Sequence, residues 1–222
     1  MEGNVKREIW VAGYPSLYGG ADTELNHCID LWRSYDVDVH LVPMFICDEK
    51  MKARMDAIGC TTHQFNPAIF KDKIVASWCN GEFLKFLPKI YEHGKPEKVI
   101  WANCMTWAFD AEKVAIKNDW ITHHMFVSNF QKGILKPVLE LSGKVDELEG
   151  YRPYFNPSNA SQQIEFKYNP PSQWFAVGRI SRDDGHKYAH DTWNIFYKVC
   201  TPKHKKVFML GYGPNAHSRC GK

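Results

Sequence analysis

Trp174–Lys187 reads WFAVGRISRDDGHK, and the parsing of this stretch decides the fold. It begins as an apolar strand run, Trp174 to Val177, that stops at Gly178-Arg179. A polar loop follows from Ile180 to Gly185, and a helical pattern opens near Lys187. A strand that ends in glycine and hands over to a helix turns backbone N–H groups toward a crevice above a parallel sheet. Arg179 at such a strand end can fork onto phosphate oxygens. The stretch therefore reads either as a diphosphate site or as an ordinary βα turn carrying a solvated arginine.

The same order of strand, glycine and helix stands at the start of the chain. Glu8 to Pro15 reads as a strand, and Tyr14 to Gly20 as a loop closing on Gly19-Gly20. Leu25, Cys28, Ile29 and Trp32 then fall at helical spacing, with Asp22 or Thr23 as the expected cap. Paired glycines let a backbone approach a ligand closely, so Gly19 and Gly20 are candidate phosphate contacts. A tight βα turn is the plainer alternative. The run is not G-x-G-x-x-G, which sets aside a nicotinamide dinucleotide site.

Between these two stretches strands and helices alternate. Asp36–Met44, Cys60–Asn66, Lys73–Cys79, Lys98–Cys104 and Ile121–Ser128 read as strands. Asp48–Ile58, Asn80 to about His93, Glu112–Asn118 and Asn129–Leu141 read as helices. This alternation predicts an α/β fold, a Rossmann-like doubly wound parallel sheet. Tyr151 to Pro171 breaks the pattern with Pro153, Pro157, Pro170 and Pro171, so a boundary is expected there. The expected domains are residues 1–150 and 151–222, the second an incomplete Rossmann-like βαβ unit.

Composition narrows the function. Of 222 residues, 44% are hydrophobic and 24% charged, an ordinary globular balance. A net charge of +3 gives no electrostatic case for nucleic acid. The seven cysteines form no C-x-x-C pair, which disfavours zinc ribbons and thioredoxin-type sites and suits free thiols in a reducing cytoplasm. The charged N-terminus does not read as a signal peptide, and no run approaches the length of a membrane span. His123-His124 on a strand would point to opposite faces, and His186 with His190 lacks a third ligand, so neither reads as a metal site. The basic run Lys203 to Lys206 reads as a solvated face, and Trp101 and Trp107 as core or as sugar-stacking aromatics.

Four runs together resemble a known family. They are Gly19-Gly20-Ala21-Asp22, Phe126-Val127-Ser128-Asn129-Phe130-Gln131, Tyr151 to Pro157, and Val177 to Gly185 followed by Leu210-Gly211-Tyr212-Gly213-Pro214. In order and spacing the chain resembles the glycosyltransferases of GT-B fold, family 4 (group 1), over their N-terminal domain and the start of the donor domain. The resemblance implies retaining, metal-independent transfer of a sugar from a nucleotide-sugar donor to a glycan, lipid or protein acceptor. It implies no bound cofactor, no nucleic acid, and peripheral association with a membrane surface. The acceptor side would be the first domain and the donor side the second. Arg179, beside Gly178, and a lysine would neutralise the departing diphosphate, with Gly19 and Gly20 reaching the donor from the other side.

The chain departs from that pattern at three places. Asp184 stands where the family has a lysine before Gly185, leaving Lys187 and Arg182 as nearby substitutes. Asn103 and Cys104 stand where the family has a histidine; Asn103 is then the candidate for a sugar hydroxyl, though it is no base. The family's later acidic E-x7-E motif lies beyond what these residues contain, so weak or absent transfer by this chain alone is expected. Two alternatives stand beside the transferase: a non-catalytic glycan-binding copy, and another Rossmann-like nucleotide-sugar enzyme.

Overall fold

The computed structural model describes residues 7–17, 19–140, 146–147, 175–181, 183–199 and 205–220. The chain divides into two compact units, Met1–Gln162 and Gln163–Lys222. The boundary expected near residue 150, the linker at 151–171 and Arg182 lie outside the described residues.

Unit 1 runs β1 (Glu8–Ala12), α1 (Gly20–Ser34), β2 (Asp38–Val42), α2 (Glu49–Ala57), β3 (Thr61–Thr62), β4 (Ile74–Trp78), α3 (Gly81–His93), β5 (Lys98–Asn103), α4 (Asp110–Lys117), β6 (His123–Phe126), α5 (Asn129–Val138) and β7 (Asp146–Glu147). The strands form one sheet in the order β3-β2-β1-β4-β5-β6-β7, and every pairing is parallel. This is the doubly wound, Rossmann-like order: the chain winds outward from β1 to β3, returns to place β4 beside β1, and winds outward again.

Apolar content on both faces of each central strand makes this arrangement stable. Side chains alternate across the sheet with period two. Trp10, Ala12, Val75, Val99 and Trp101 face one core, filled by Phe83, Leu84, Leu87 and Ile90 of α3 with Ala115, Ile116 and Leu135 of α4 and α5. Val11, Val39, Leu41, Ala76, Trp78 and Ala102 face the other, filled by Leu25, Cys28 and Ile29 of α1 with Met51 and Met55 of α2. Burying the four large apolar side chains of α3 contributes about 2 kcal/mol each before entropy is counted. That is ample for the helix to run on through Pro88 despite the lost backbone hydrogen bond.

Unit 2 contains β8 (Phe175–Ile180), a 3-10 turn at Gly185–Lys187, α6 (Thr192–Val199), β9 (Lys205–Leu210) and α7 (Pro214–Cys220). β8 and β9 pair in parallel, giving one βαβ unit. One expectation is corrected here. The strand does not stop at Gly178-Arg179: Gly178 pairs with Phe208, Arg179 with Met209 and Ile180 with Leu210. Backbone pairing with a distant strand carries the element through a glycine that local reading takes as a stop. Tyr188, Ala216 and Cys220 are buried, packed with Trp193, Met209 and Tyr212. Ile180, Phe208 and Leu210 stay exposed on this small sheet.

Among the described residues no helix is long and apolar enough to cross a membrane.

Candidate functional site at the switch point

In a doubly wound sheet the two halves diverge beyond the C-terminal ends of the strands flanking the reversal, here β1 and β4, and leave a crevice. A cavity of about 340 Å³ lies there, lined by residues following β1, β2 and β4 and by the first turn of α1. That is within the range of small-ligand sites.

Three helices begin at this crevice; two starts carry a side-chain cap and the third does not. Asp48 caps α2, accepting from Lys50 N at 2.9 Å and Met51 N at 3.1 Å. Asn80 caps α3, accepting from Glu82 N at 3.1 Å and Phe83 N at 3.2 Å. At α1, Gly19 is the cap residue with no side-chain capping bond, and the helix starts at Gly20. Asp22 and Thr23 were the expected caps, but they lie inside the first turn. Asp22 turns back to accept Ser16 N at 3.0 Å, and the Thr23 hydroxyl donates to Gly19 O at 2.7 Å.

The glycines here have distinct uses. Gly13 has φ 136°, and a β-carbon on it would lie 2.9 Å from Asn80 Nδ2. Gly19 has φ 128°, and a β-carbon on it would meet Asp22 Oδ2 at 2.6 Å. The space beside Gly19 is thus filled by the chain's own carboxylate. Gly20 faces open space.

The chemistry of the crevice follows from its lining. Asp22, Asp48, Asn80 and Tyr14 supply polar groups, and Phe45 and Trp78 supply aromatic surface. None of the described lining residues is Lys or Arg. Burial pushes the Tyr14 phenol up to about 12, so it stays protonated at neutral pH. Acidic side chains already complement the positive ends of α1 and α2. Carboxylate, amide and phenol groups with an aromatic face suit a neutral, hydroxyl-rich ligand better than a phosphate.

Asn103 ends β5 at the same edge of the sheet but is fully buried. Its Nδ2 donates to Trp107 O at 3.1 Å and to Glu112 Oε2 at 2.9 Å, and its Oδ1 accepts Met105 N at 2.7 Å. Both amide protons and the carbonyl are engaged within the fold. The acceptor at the centre is Glu112, also fully buried. It takes Trp101 Nε1 at 2.8 Å, His124 Nε2 at 2.8 Å and Phe109 N at 3.0 Å. Gln131 adds bonds from Nε2 to Asn103 O at 2.5 Å and Met105 O at 2.7 Å. The network ties the loop between β5 and α4 to the sheet. His124 is buried in it while His123 is partly exposed, as strand alternation requires.

Unit 2 holds the other sequence-derived candidates. Arg179 Nη2 donates to Lys187 O, and its guanidinium carbon lies 4.7 Å from the centre of the Tyr188 ring. Arg179 and Lys187 are thus brought together. Gly178 sits mid-strand, exposed, with open space where a β-carbon would be. Asp184 caps the 3-10 turn, accepting His186 N at 2.9 Å. The Gly211–Pro214 run is occupied from within: Asp183 accepts Gly213 N at 3.2 Å, Asn215 N at 3.2 Å and Ala216 N at 2.8 Å. These backbone bonds, that of Ala216 first, hold the Asp183 carboxyl below its ordinary value. A β-carbon on Gly213 would lie 2.5 Å from Asp183 Oδ2, so the glycine makes room for that carboxylate.

Tyr14, Glu112 and Asp183 were not singled out by sequence reasoning, and Asp22 was singled out only as a cap and as part of the Gly19–Asp22 run. Asp48 and Asn80 carried a signal, since each precedes a helical run. No group of three or more His, Cys, Asp or Glu able to hold a metal exists among the described residues. No protein-family model matches this chain, and no curated protein matches it.

Proposed function

We propose that the chain is a glycosyltransferase of GT-B type, transferring a sugar from a nucleotide-sugar donor to a hydroxyl-bearing acceptor. The observation that carries this reading is the switch-point crevice: aromatic and carboxylate-lined, without a described cation, it matches the chemistry of a sugar acceptor. Asp22, Tyr14 and Asn80 would take the acceptor hydroxyls. Unit 2 would take the donor, with Arg179 and Lys187 toward the diphosphate. Arg179 Nε is buried without a hydrogen-bond partner among the described residues, so this N–H is not spent within the fold. Retention and independence of metal rest on the family resemblance alone. A cytoplasmic setting is supported by the six described cysteines, all free.

A second reading is favoured by one observation. Asp183 already occupies the backbone donors of the Gly213 loop, where the resemblance would put the donor's diphosphate. That arrangement supports a glycan-binding chain without transfer. One experiment separates the two. The chain is titrated with UDP, GDP and ADP and their sugars, and assayed for nucleotide release with glycan acceptors. Donor binding and nucleotide release lowered by Arg179→Ala support the transferase. Glycan binding lowered by Asp22→Asn, with no nucleotide bound at millimolar concentration, supports the second reading. Neither binding event would overturn both.

A further inference from the structure

β4 ends in a cysteine at the point where the backbone turns. Cys79 has φ 46°, a left-handed conformation that costs a residue with a β-carbon about 1 kcal/mol. It stands between β4 and the Asn80 cap of α3. Its N–H donates to Ala102 O at 2.8 Å, which fixes it level with the end of β5. Cys104, just past β5, donates its N–H to Cys79 Sγ at 3.0 Å. Cys79 Sγ in turn donates to Asn103 Oδ1 at 3.8 Å, so the sulfur lies among the residues that end β5. The Trp78–Ala102 register sets Cys79 across from Asn103, one residue short of Cys104; with strands about 4.8 Å apart and a rise of about 3.3 Å per residue, that offset still falls within the Cα separation a disulfide spans.

The pair is accessible and asymmetric. Both cysteines are free and partly exposed, and Cys79 lines the crevice. The Cys104 thiol, and then the Cys104 N–H, hold the Cys79 thiol below its ordinary value, while the Cys79 thiol pushes Cys104 up. One sulfur is therefore disposed to be the thiolate and the other to keep its proton. The other described crevice cysteine, Cys47, is pushed up by burial. Cys28 and Cys60 are buried and pushed up to about 12 and about 11.

We propose that Cys79 and Cys104 are a peroxide-reactive thiol pair that closes a disulfide beside the switch-point crevice. The Cys79 thiolate attacks one oxygen of hydrogen peroxide. An S–O bond forms, the O–O bond breaks, and the departing hydroxide takes the Cys104 thiol proton and leaves as water. The Cys104 thiolate then attacks the Cys79 sulfenic sulfur. The S–S bond forms, the S–O bond breaks, and the hydroxide takes a proton from solvent. Two thiols are oxidised by two electrons, and one peroxide is reduced to two waters. The product joins the turn after β4 to the loop after β5.

The test uses the whole chain. It is treated with substoichiometric hydrogen peroxide, its remaining thiols are alkylated, and it is digested for mass spectrometry. A Cys79–Cys104 linked peptide is expected before any other cysteine loses alkylation. In Cys104→Ser, dimedone should trap a sulfenic acid at Cys79. Should Cys79 variants fold poorly, the unaltered protein still decides. The pH midpoint of iodoacetamide reaction at Cys79 should lie below that of Cys47. Oxidation of Cys47 first, a Cys47–Cys79 linkage, or equal midpoints would overturn the proposal.

Discussion

Replacing Glu112 by alanine should be among the most damaging single changes in unit 1. Its carboxylate accepts Trp101 Nε1, His124 Nε2, Asn103 Nδ2 and Phe109 N, all between 2.8 and 3.0 Å. Trp101, Asn103, His124 and Glu112 are fully buried. Each donor left dry and unpaired costs about 1–3 kcal/mol, but water entering the vacated space re-satisfies some of them. The loss expected for breaking a buried, charged hydrogen-bond centre is then about 3–5 kcal/mol. At a urea slope of about 2 kcal/mol/M, that moves the midpoint down by roughly 2 M. Glu112→Gln keeps the shape but turns an acceptor into a donor facing donors, so about half the loss is expected. The assay is urea unfolding, with hydrogen exchange of residues 98–126 to localise the change. A loss below about 1 kcal/mol for alanine would show that the donors re-pair without the carboxylate, and the hub argument would fail.

Gly13→Ala should destabilise by about 2 kcal/mol, because φ 136° is strained for alanine and the new β-carbon displaces the Asn80 amide that caps α3; thermal unfolding measures it. His40 is held below its ordinary value of 6.5 by burial and then by His63, whose Nε2 is 2.9 Å from its Nδ1. The unfolded chain therefore takes up the proton more readily, so the stability from neutral His40 is present above 6.5 and lost as pH falls below it; His40→Gln should flatten the fall in urea midpoint between about pH 7.5 and about pH 5.5. Asp183→Ala should loosen the Gly213 loop, read as faster hydrogen exchange over residues 207–217, because three backbone N–H groups lose their acceptor. Because the Asp183 carboxyl is held below 3.8, its contribution is present above that pH and fades as the carboxyl is protonated.

The alternation that predicted the sheet is local and strong. Lys73–Cys79 and Lys98–Cys104 are mainly apolar runs, and such runs between helical patterns leave little but a parallel sheet. Helix starts were legible where one side chain does one job, as at Asp48 and Asn80, which open the helical runs and prove to be their caps. They misled where a side chain serves the preceding loop: Asp22 binds Ser16 N, so α1 starts earlier than its sequence suggests. Glu112 had no signal at all. An acid on the first turn of a short helix reads as solvated, and only the pairing of β5 with β6 brings Trp101 level with His124 and sets both against it. Asn103 was legible as a strand end but not as a buried hub member, since its partners are contributed by a loop and a helix.

On the proposed transferase reading, charge bears on how each unit would hold its substrate. A diphosphate dianion needs cations or unspent N–H donors, and all three helix starts at the unit 1 crevice carry acids. Unit 2 has the cations, Arg179 and Lys187, yet its loop N–H groups are spent on Asp183. Asp183 stays ionised at neutral pH, so a phosphate approaching the same N–H groups meets a like charge. Any donor held by unit 2 must therefore be held through side chains such as Arg179 rather than through the Gly213 loop. Guanidinium geometry then matters more than net charge. Arg179→Lys supplies a point charge without the fork, so it should restore little of whatever donor binding Arg179→Ala removes.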